Sequence, residues 1–288
     1  MLLTPHVQAL IDMALNEDLG GGDATTDAIF PGHQLCTATV LAKSDLVLCG
    51  LEIFEAVMRR VDSELTCTWN VDDGAQVAQM TPLGRVQGRV RSILKAERTA
   101  LNFIQRMSGV ATQTYAYAKH VEGTQTVVVD TRKTLPGWRT LDKYAVRCGG
   151  GRNHRLNLGA GVMIKDNHIE AAGSITEAVR RVREVAAHTL RIEVEVVNME
   201  QLEEAVHAGV EIILLDNMST PEVRAAVERA RTLAAGRPLL LEASGGITAP
   251  RLVELAQAGV DIISVGALTH SVSAADISLD VDTVSTTI

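Results

Sequence analysis

The sequence predicts an α/β fold in two parts: an N-terminal region built on one small sheet with helices against it, and a C-terminal barrel of parallel strands. Beyond His120 short aliphatic runs recur, "TVVVDTRK", "GVMIKDN", "RIEVEVV", "EIILLDN", "PLLLEASGG" and "DIISVGA", separated by helical or loop segments. Continuous apolar strands alternating with helices signify a parallel sheet covered on both faces. The region before them lacks this rhythm and reads as α+β. No Gly-rich dinucleotide fingerprint follows an early strand, which favours a barrel over a doubly wound sheet.

Each element has a local reason. Thr4 at N-cap and Pro5 at the first helical position open an amphipathic helix, with Val7, Leu10, Ile11, Ala14 and Leu15 on one face. After the loop "EDLGGGDATTD", the run "CTATVLAKSDLVLCG" reads as strand and "LEIFEAVMRRV" as helix. "LTCTWNV" and "TPLGRVQGRV" read as two strands joined through the turn Asp72-Asp73-Gly74. "ILKAERTALNFIQRMSGVATQTYAYAKHV" is helical. Helices between the later strands are expected over 175–187, 199–208, 221–235 and 250–258. Gly209 and Gly259 suit the left-handed position that closes two of them.

The chain has 288 residues, 46% of them hydrophobic and only 3% aromatic, so its core must be mainly aliphatic. A formal charge of -8 argues against a general nucleic-acid or membrane-surface binder, which would carry a broad basic field. Charges interrupt every apolar run before it could span a bilayer. The opening residues read as a helix rather than a secretory leader, and a cytoplasmic location is expected. Cys36, Cys49, Cys67 and Cys148 form no CxxC pair and read as reduced thiols.

Against this acidic background, the stretch "DTRKTLPGWRTLDKYAVRCGGGRNHRLNL" gathers Arg132, Lys133, Arg139, Lys143, Arg147, Arg152, His154 and Arg155. Converging cations in a partly dry cleft bind a small polyanion firmly, and Arg does so bidentately. Arg132, Lys133 and Arg155 lie at or near strand ends, where barrel enzymes keep their chemistry. Lys143, Arg147 and Arg152 could equally face solvent, and His154 could be a substrate donor or a satisfied buried histidine. Ser244-Gly245-Gly246 and, one unit later, Gly266-Ala267 follow neighbouring strands and would let backbone amides close on phosphate. Glu195 and Asp216 are carboxylates at strand tips, suited to acid/base work, metal or ribose binding, or stabilising a cationic sugar; salt-bridging to the cations is the bland alternative. "KDNH" could cap a helix through Asp166 or Asn167, with Lys165 the functional part. Arg98, on a helix well upstream, would by itself read as a solvated face.

The motifs "EDLGGGDATT", "ERTALNFIQRMSG", "DTRKTLPGWR", "GGGRNHRLNL", "KDNH", "EVEV", "LLDN", "EASGGI" and "SVGALTHS" run through the chain in a specific order. In that order and approximate spacing the chain resembles the quinolinate phosphoribosyltransferase family. The resemblance implies an N-terminal α/β sandwich domain over residues 1–107, joined by the tail 270–288, and an incomplete, TIM-like α/β barrel over 108–269. It implies transfer of phosphoribose from phosphoribosyl pyrophosphate to quinolinate with loss of CO2, giving nicotinate mononucleotide in NAD biosynthesis. Mg2+ would travel with the sugar donor, near Glu195 and Asp216. The assembly would be a homodimer or built from dimers, with Arg98 reaching the neighbouring site. Thr131, Arg132, Lys133, His154, Arg155 and Lys165 would surround quinolinate, and Glu195 and Asp216 would face the ribose. Ser244, Gly245, Gly246, Gly266 and Ala267 would cradle the 5′-phosphate. Lys133, Lys165, Glu195 and Asp216 are the expected catalytic groups.

Overall fold

Thr4 adopts extended backbone and its hydroxyl accepts the Val7 amide, while Pro5 occupies the first turn, where its missing N–H costs nothing. The resulting helix α1 (Pro5–Leu19) buries Val7, Ile11 and Leu15, one residue per turn, with Leu10 and Ala14 at the margin of that stripe. The computed structural model describes residues 2–30 and 32–285. After α1 come α2 (Ala24–Ile29), β1 (Leu35–Ala42), β2 (Leu46–Val47), α3 (Leu51–Val61), β3 (Thr66–Trp69), β4 (Gln76–Val77), β5 (Pro82–Arg89) and α4 (Val90–Lys119). Next are β6 (Val127–Val129), α5 (Arg139–Cys148), β7 (Val162–Ile164), α6 (Asp166–Ala172), α7 (Ile175–Val185), β8 (Ile192–Val196) and α8 (Met199–His207). The chain ends through β9 (Ile212–Asp216), α9 (Thr220–Ala234), β10 (Leu240–Ser244), α10 (Ala249–Ala258), β11 (Ile262–Ser264), α11 (Ala267–His270) and β12 (Ile277–Ser285).

Two units result. The first takes in the chain up to Tyr115, the excursion Leu135–Gly150 and the tail from Thr269. Its four-stranded antiparallel sheet has the order β12-β1-β5-β3. Strand β1 alternates cleanly, burying Cys36, Ala38, Val40 and Ala42, and Val40 sits opposite Leu279 on one side and Gly84 on the other. Residues 286–288 of the tail lie outside the described residues. The turn Asp72-Asp73-Gly74 does not close a hairpin between β3 and β5: β4 intervenes and pairs with β2 instead. The reason is the Asp73 side chain. Its Oδ1 accepts the amides of Gly50 (2.9 Å) and Leu51 (3.1 Å), capping α3, whose own N-cap Gly50 has no side chain to do so. The aliphatic core expected from composition is joined by two aromatic pairs, Phe54 edge-on to Trp69 at 5.3 Å and Phe103 stacked on Trp138 at 4.8 Å.

The second unit spans Ala116–Thr134 and Gly151–Leu268. Its six strands are all parallel, in the order β6-β11-β10-β9-β8-β7, with β6 and β7 at the edges. Six strands with α6 to α10 between them make an incomplete α/β barrel. Gly209 (φ +76°) and Gly259 (φ +90°) take the left-handed conformation that ends α8 and α10. Among the described residues no helix is long and apolar enough to cross a membrane.

Candidate active site

The C-terminal ends of the six strands open into one cavity of about 610 Å³, within the size range of small-molecule sites. Thr131, Arg132 and Lys133 line it just beyond β6, and Met163 and Lys165 do so at β7. Glu195 enters from β8, Asp216 and Asn217 from β9, and Ser264 from β11. Glu242, Ser244, Gly245 and Gly246 enter from β10, and His154 and Arg155 from the segment that follows α5.

Asp130 assembles the cationic side. Wholly buried at the end of β6, it accepts the Asn153 amide group at 2.6 Å and the His154 backbone amide at 2.9 Å. A buried carboxylate needs such donors, and the bonds draw residues 153–155 beside residues 131–133. The Arg155 guanidinium donates to the Gly161 carbonyl (3.0 Å), and burial together with the like charge of Arg132 lowers its pKa. Lys165 is itself the N-cap of α6, in place of Asp166 or Asn167. Its amide donates to Nδ1 of His168, three residues on (2.9 Å), while the Asp166 carboxylate accepts the neighbouring Asn167 amide (2.7 Å). The Lys165 ammonium is ion-paired with Glu195.

The opposite wall is built for oxygen-rich groups. Asp216 accepts the Asn217 side-chain amide through Oδ2 (2.7 Å), and its Oδ1 makes no hydrogen bond within the described residues. Directly beside it, Gly245 (φ +94°) and Gly246 (φ +56°) are both left-handed, and a Cβ on Gly245 would collide with the Asn217 side chain. Only glycine fits there. The turn leads into α10, whose N-cap Thr248 makes no side-chain capping bond, whereas Ser219 caps α9 with Glu222 closing the box. The first-turn amides of α10 therefore lack a side-chain cap, as a helix terminus facing phosphate requires.

The cavity floor was not anticipated. Glu242, 1% exposed, has its pKa pushed up to about 7, chiefly by burial and then by the charge of Glu193. Its Oε1 is buried without a hydrogen-bond partner. His154 Nε2 lies 3.2 Å from Glu193 Oε2 and 3.7 Å from Glu242 Oε2. His154 and Glu242 also line a second cavity of about 390 Å³ on the far side, with Glu193 and residues from the strand starts such as Ile212, Leu240 and Ile262. The sequence carried a signal for these glutamates, since each interrupts an apolar run, "RIEVEVV" or "PLLLEASGG".

Other expected residues stand elsewhere. Gly266 and Ala267 are not among the lining residues: β11 ends at Ser264, which takes that place, and the Val265 amide already bonds to the Val129 carbonyl (2.9 Å). Arg98 is exposed on α4, in the first unit, and its side chain makes no ion pair or hydrogen bond within the described residues. Of the cation-rich stretch, Arg139, Lys143 and Arg147 fall on α5 in the first unit, where Lys143 is buried and Arg147 lies 5.6 Å from the Tyr144 ring centre. Arg152 is exposed and absent from the lining.

Known proteins resemble this chain over nearly its whole length. Residues 23–108 match the profile of the quinolinate phosphoribosyl transferase N-terminal domain, and residues 110–280 that of its C-terminal domain. A probable carboxylating nicotinate-nucleotide pyrophosphorylase of Bacillus subtilis is 42% identical, the alignment covering 96% of this chain and 93% of that one. A carboxylating nicotinate-nucleotide pyrophosphorylase of Mycobacterium leprae is 45% identical over 94% of this chain and 95% of its own. The solved nicotinate-nucleotide pyrophosphorylase of Francisella tularensis superposes with a TM-score of 0.91 at 40% identity, covering 97% of this chain and 98% of that chain. By its matched domains, its relatives and its fold, the chain belongs to the quinolinate phosphoribosyltransferase family.

Proposed function

We propose that this protein transfers phosphoribose from phosphoribosyl pyrophosphate to quinolinate and releases CO2, yielding nicotinate mononucleotide and pyrophosphate. The observation that carries the reading is the convergence of Arg132, Lys133, Arg155 and Lys165 on one cavity that also holds Glu195 and Asp216. Quinolinate has two adjacent carboxylates, and a site for it needs several cations together. Arg132 and Arg155 suit the carboxylate pair, with His154, Thr131 and Lys133 completing the wall. Lys165 already holds one carboxylate, that of Glu195, and binding would exchange or share that partner.

Glycosidic cleavage of the donor builds positive charge on the anomeric carbon, and Glu195 and Asp216 stabilise it electrostatically from adjacent strands. The Ser244-Gly245-Gly246 turn and the first-turn amides of α10 receive the 5′-phosphate. Mg2+ takes one or two carboxylate oxygens together with substrate phosphates, and Asp216, with an oxygen left without a hydrogen bond, fits that role. Bound there, the ion would neutralise the leaving pyrophosphate. Once alkylated, the ring nitrogen is cationic and accepts the electrons left as the adjacent carboxylate departs. The working assembly is a homodimer in which Arg98 of a second copy adds a cation to the site, and its location is the cytoplasm.

The test is incubation with quinolinate, phosphoribosyl pyrophosphate and Mg2+ while CO2, pyrophosphate and nicotinate mononucleotide are followed. Stoichiometric appearance of all three is expected. Nicotinate, lacking the second carboxylate, should be a poor acceptor; equal use of nicotinate would defeat the assignment of the cations.

A further inference from the structure

The floor of the cavity holds a carboxyl group whose chemistry the transfer step leaves unused. Glu242 is buried on β10, and its Oε1 has no hydrogen-bond partner. Its other oxygen, Oε2, faces His154 Nε2 at 3.7 Å, and Glu193 Oε2 lies 3.2 Å from that same nitrogen. The state of the ring follows from its other side: Nδ1 accepts the Arg155 backbone amide at 2.7 Å, so it carries a lone pair and the ring proton is on Nε2. Three potential ligands sit within 4.8 Å of one another here. A metal would need the Nε2 lone pair, which the tautomer denies it.

A neutral imidazole beside two ionised glutamates would leave two uncompensated charges in the barrel interior, a costly arrangement. One glutamate must carry a proton. The more buried Glu242 is the candidate, and its rise to about 7 under burial and the Glu193 charge agrees. The single Nε2 hydrogen goes to the nearer carboxylate, Glu193, since Glu242 Oε2 at 3.7 Å is beyond hydrogen-bond distance; we place the acidic hydrogen of Glu242 on Oε1, the buried oxygen that makes no hydrogen bond. That oxygen makes no hydrogen bond, although the Ser264 hydroxyl lies close to the carboxyl group, and its residue lines the substrate cavity. An acid whose buried oxygen makes no hydrogen bond at the base of an anion site is suited to an acceptor brought by the ligand.

We propose that Glu242 is the general acid of the decarboxylation half-reaction, delivering its Oε1 proton to ring carbon 2 as CO2 leaves. The inference rests on the phosphoribosyl-transfer reading above. In the step, the bond between carbon 2 and the carboxylate breaks and its electron pair stays on carbon 2, beside the alkylated ring nitrogen. CO2 departs, carbon 2 takes the proton, and Glu242 is left as a carboxylate. Without the proton that carbon can recapture CO2, so protonation commits the reaction. The acid is restored by water from the second cavity, which His154, Glu193 and Glu242 all line. His154 and Glu193 are positioning residues that hold the acid.

Glu242→Gln retains the neutral shape and loses only the transferable proton. In a single turnover with quinolinate, phosphoribosyl pyrophosphate and Mg2+, the wild-type protein should release CO2 and pyrophosphate in equal amounts. The variant should let pyrophosphate release outrun CO2, the CO2-to-pyrophosphate ratio falling about 100-fold as undecarboxylated quinolinate mononucleotide accumulates. Glu242→Asp, an acid set one methylene back, should recover part of that ratio. A ratio unchanged in Glu242→Gln overturns the proposal, and so does a variant that melts like wild type but loses both products together. Wild-type protein that releases no pyrophosphate from these substrates would instead overturn the transferase reading.

Discussion

Gly245→Ala is the sharpest test of the phosphate turn. The backbone there is at φ +94°, and an added Cβ would lie 2.6 Å from Asn217 Cγ and 3.1 Å from Asn217 Cα. Left-handed backbone costs a non-glycine residue about 1–2 kcal/mol, and forcing an extra methyl into packed atoms costs about 1–3 more. Asn217 cannot yield freely, because its amide holds Asp216 and its backbone amide bonds to the Ser244 carbonyl (3.0 Å). The combined cost, roughly 3 kcal/mol, is expressed on the turn itself and corresponds to about a hundredfold rise in KM for phosphoribosyl pyrophosphate. Gly236→Ala is the control. It has φ +84° but nothing within 4 Å of its Cβ, so it should lower stability by about 1 kcal/mol and leave that KM within about twofold. Initial rates against the sugar donor, with thermal melts of both variants, decide the matter. Equal KM values for the two variants would refute the steric argument, as would a Gly245→Ala defect confined to quinolinate.

Other expectations concern charge. Because burial raises Glu242 from 4.5 to about 7 beside Glu193, His154 and the Ser264 hydroxyl, folding favours its protonated form. That stability is complete below pH 4.5 and is lost as pH rises through 7, so urea melts should show wild type losing up to about 3 kcal/mol relative to Glu242→Gln over that interval. Added salt should raise KM for quinolinate steadily, and a flat response between low and high ionic strength would count against recognition led by Arg132, Arg155 and Lys165. Arg98→Ala and Lys165→Ala proteins, each inactive alone, should regain part of the activity when mixed; no recovery despite measured subunit exchange would dismiss a shared site.

Much of the site was legible because strand ends are legible. Apolar runs that stop at Glu195, Asp216 or Ser244-Gly245-Gly246 place those residues at the mouth of a parallel sheet whatever the rest of the chain does. Local rules likewise settled α1 through Thr4 and Pro5, and the helix ends at Gly209 and Gly259. What escaped was set by distant contacts. Asp73 caps α3, from a position where a simple hairpin turn was expected. The cation-rich stretch divides between two units because α5 leaves the barrel and Asp130 draws His154 back to it. Glu193 and Glu242 escaped because their meeting at His154 depends on residues far apart in the chain.

Strand β12 has a consequence for how the molecule comes into being. It lies against β1 along nearly its full length, Ala42 opposite Ile277 and Leu35 opposite Ser285. A nascent polypeptide that has made β1, β3 and β5 still lacks one edge of that sheet until residues 277–285 have been made. During translation β1 presents a bare row of amides and carbonyls, the kind of edge that recruits foreign strands. Maturation of that sheet thus waits on the synthesis of β12, and a chain cut short before it would leave β1 as an aggregation template.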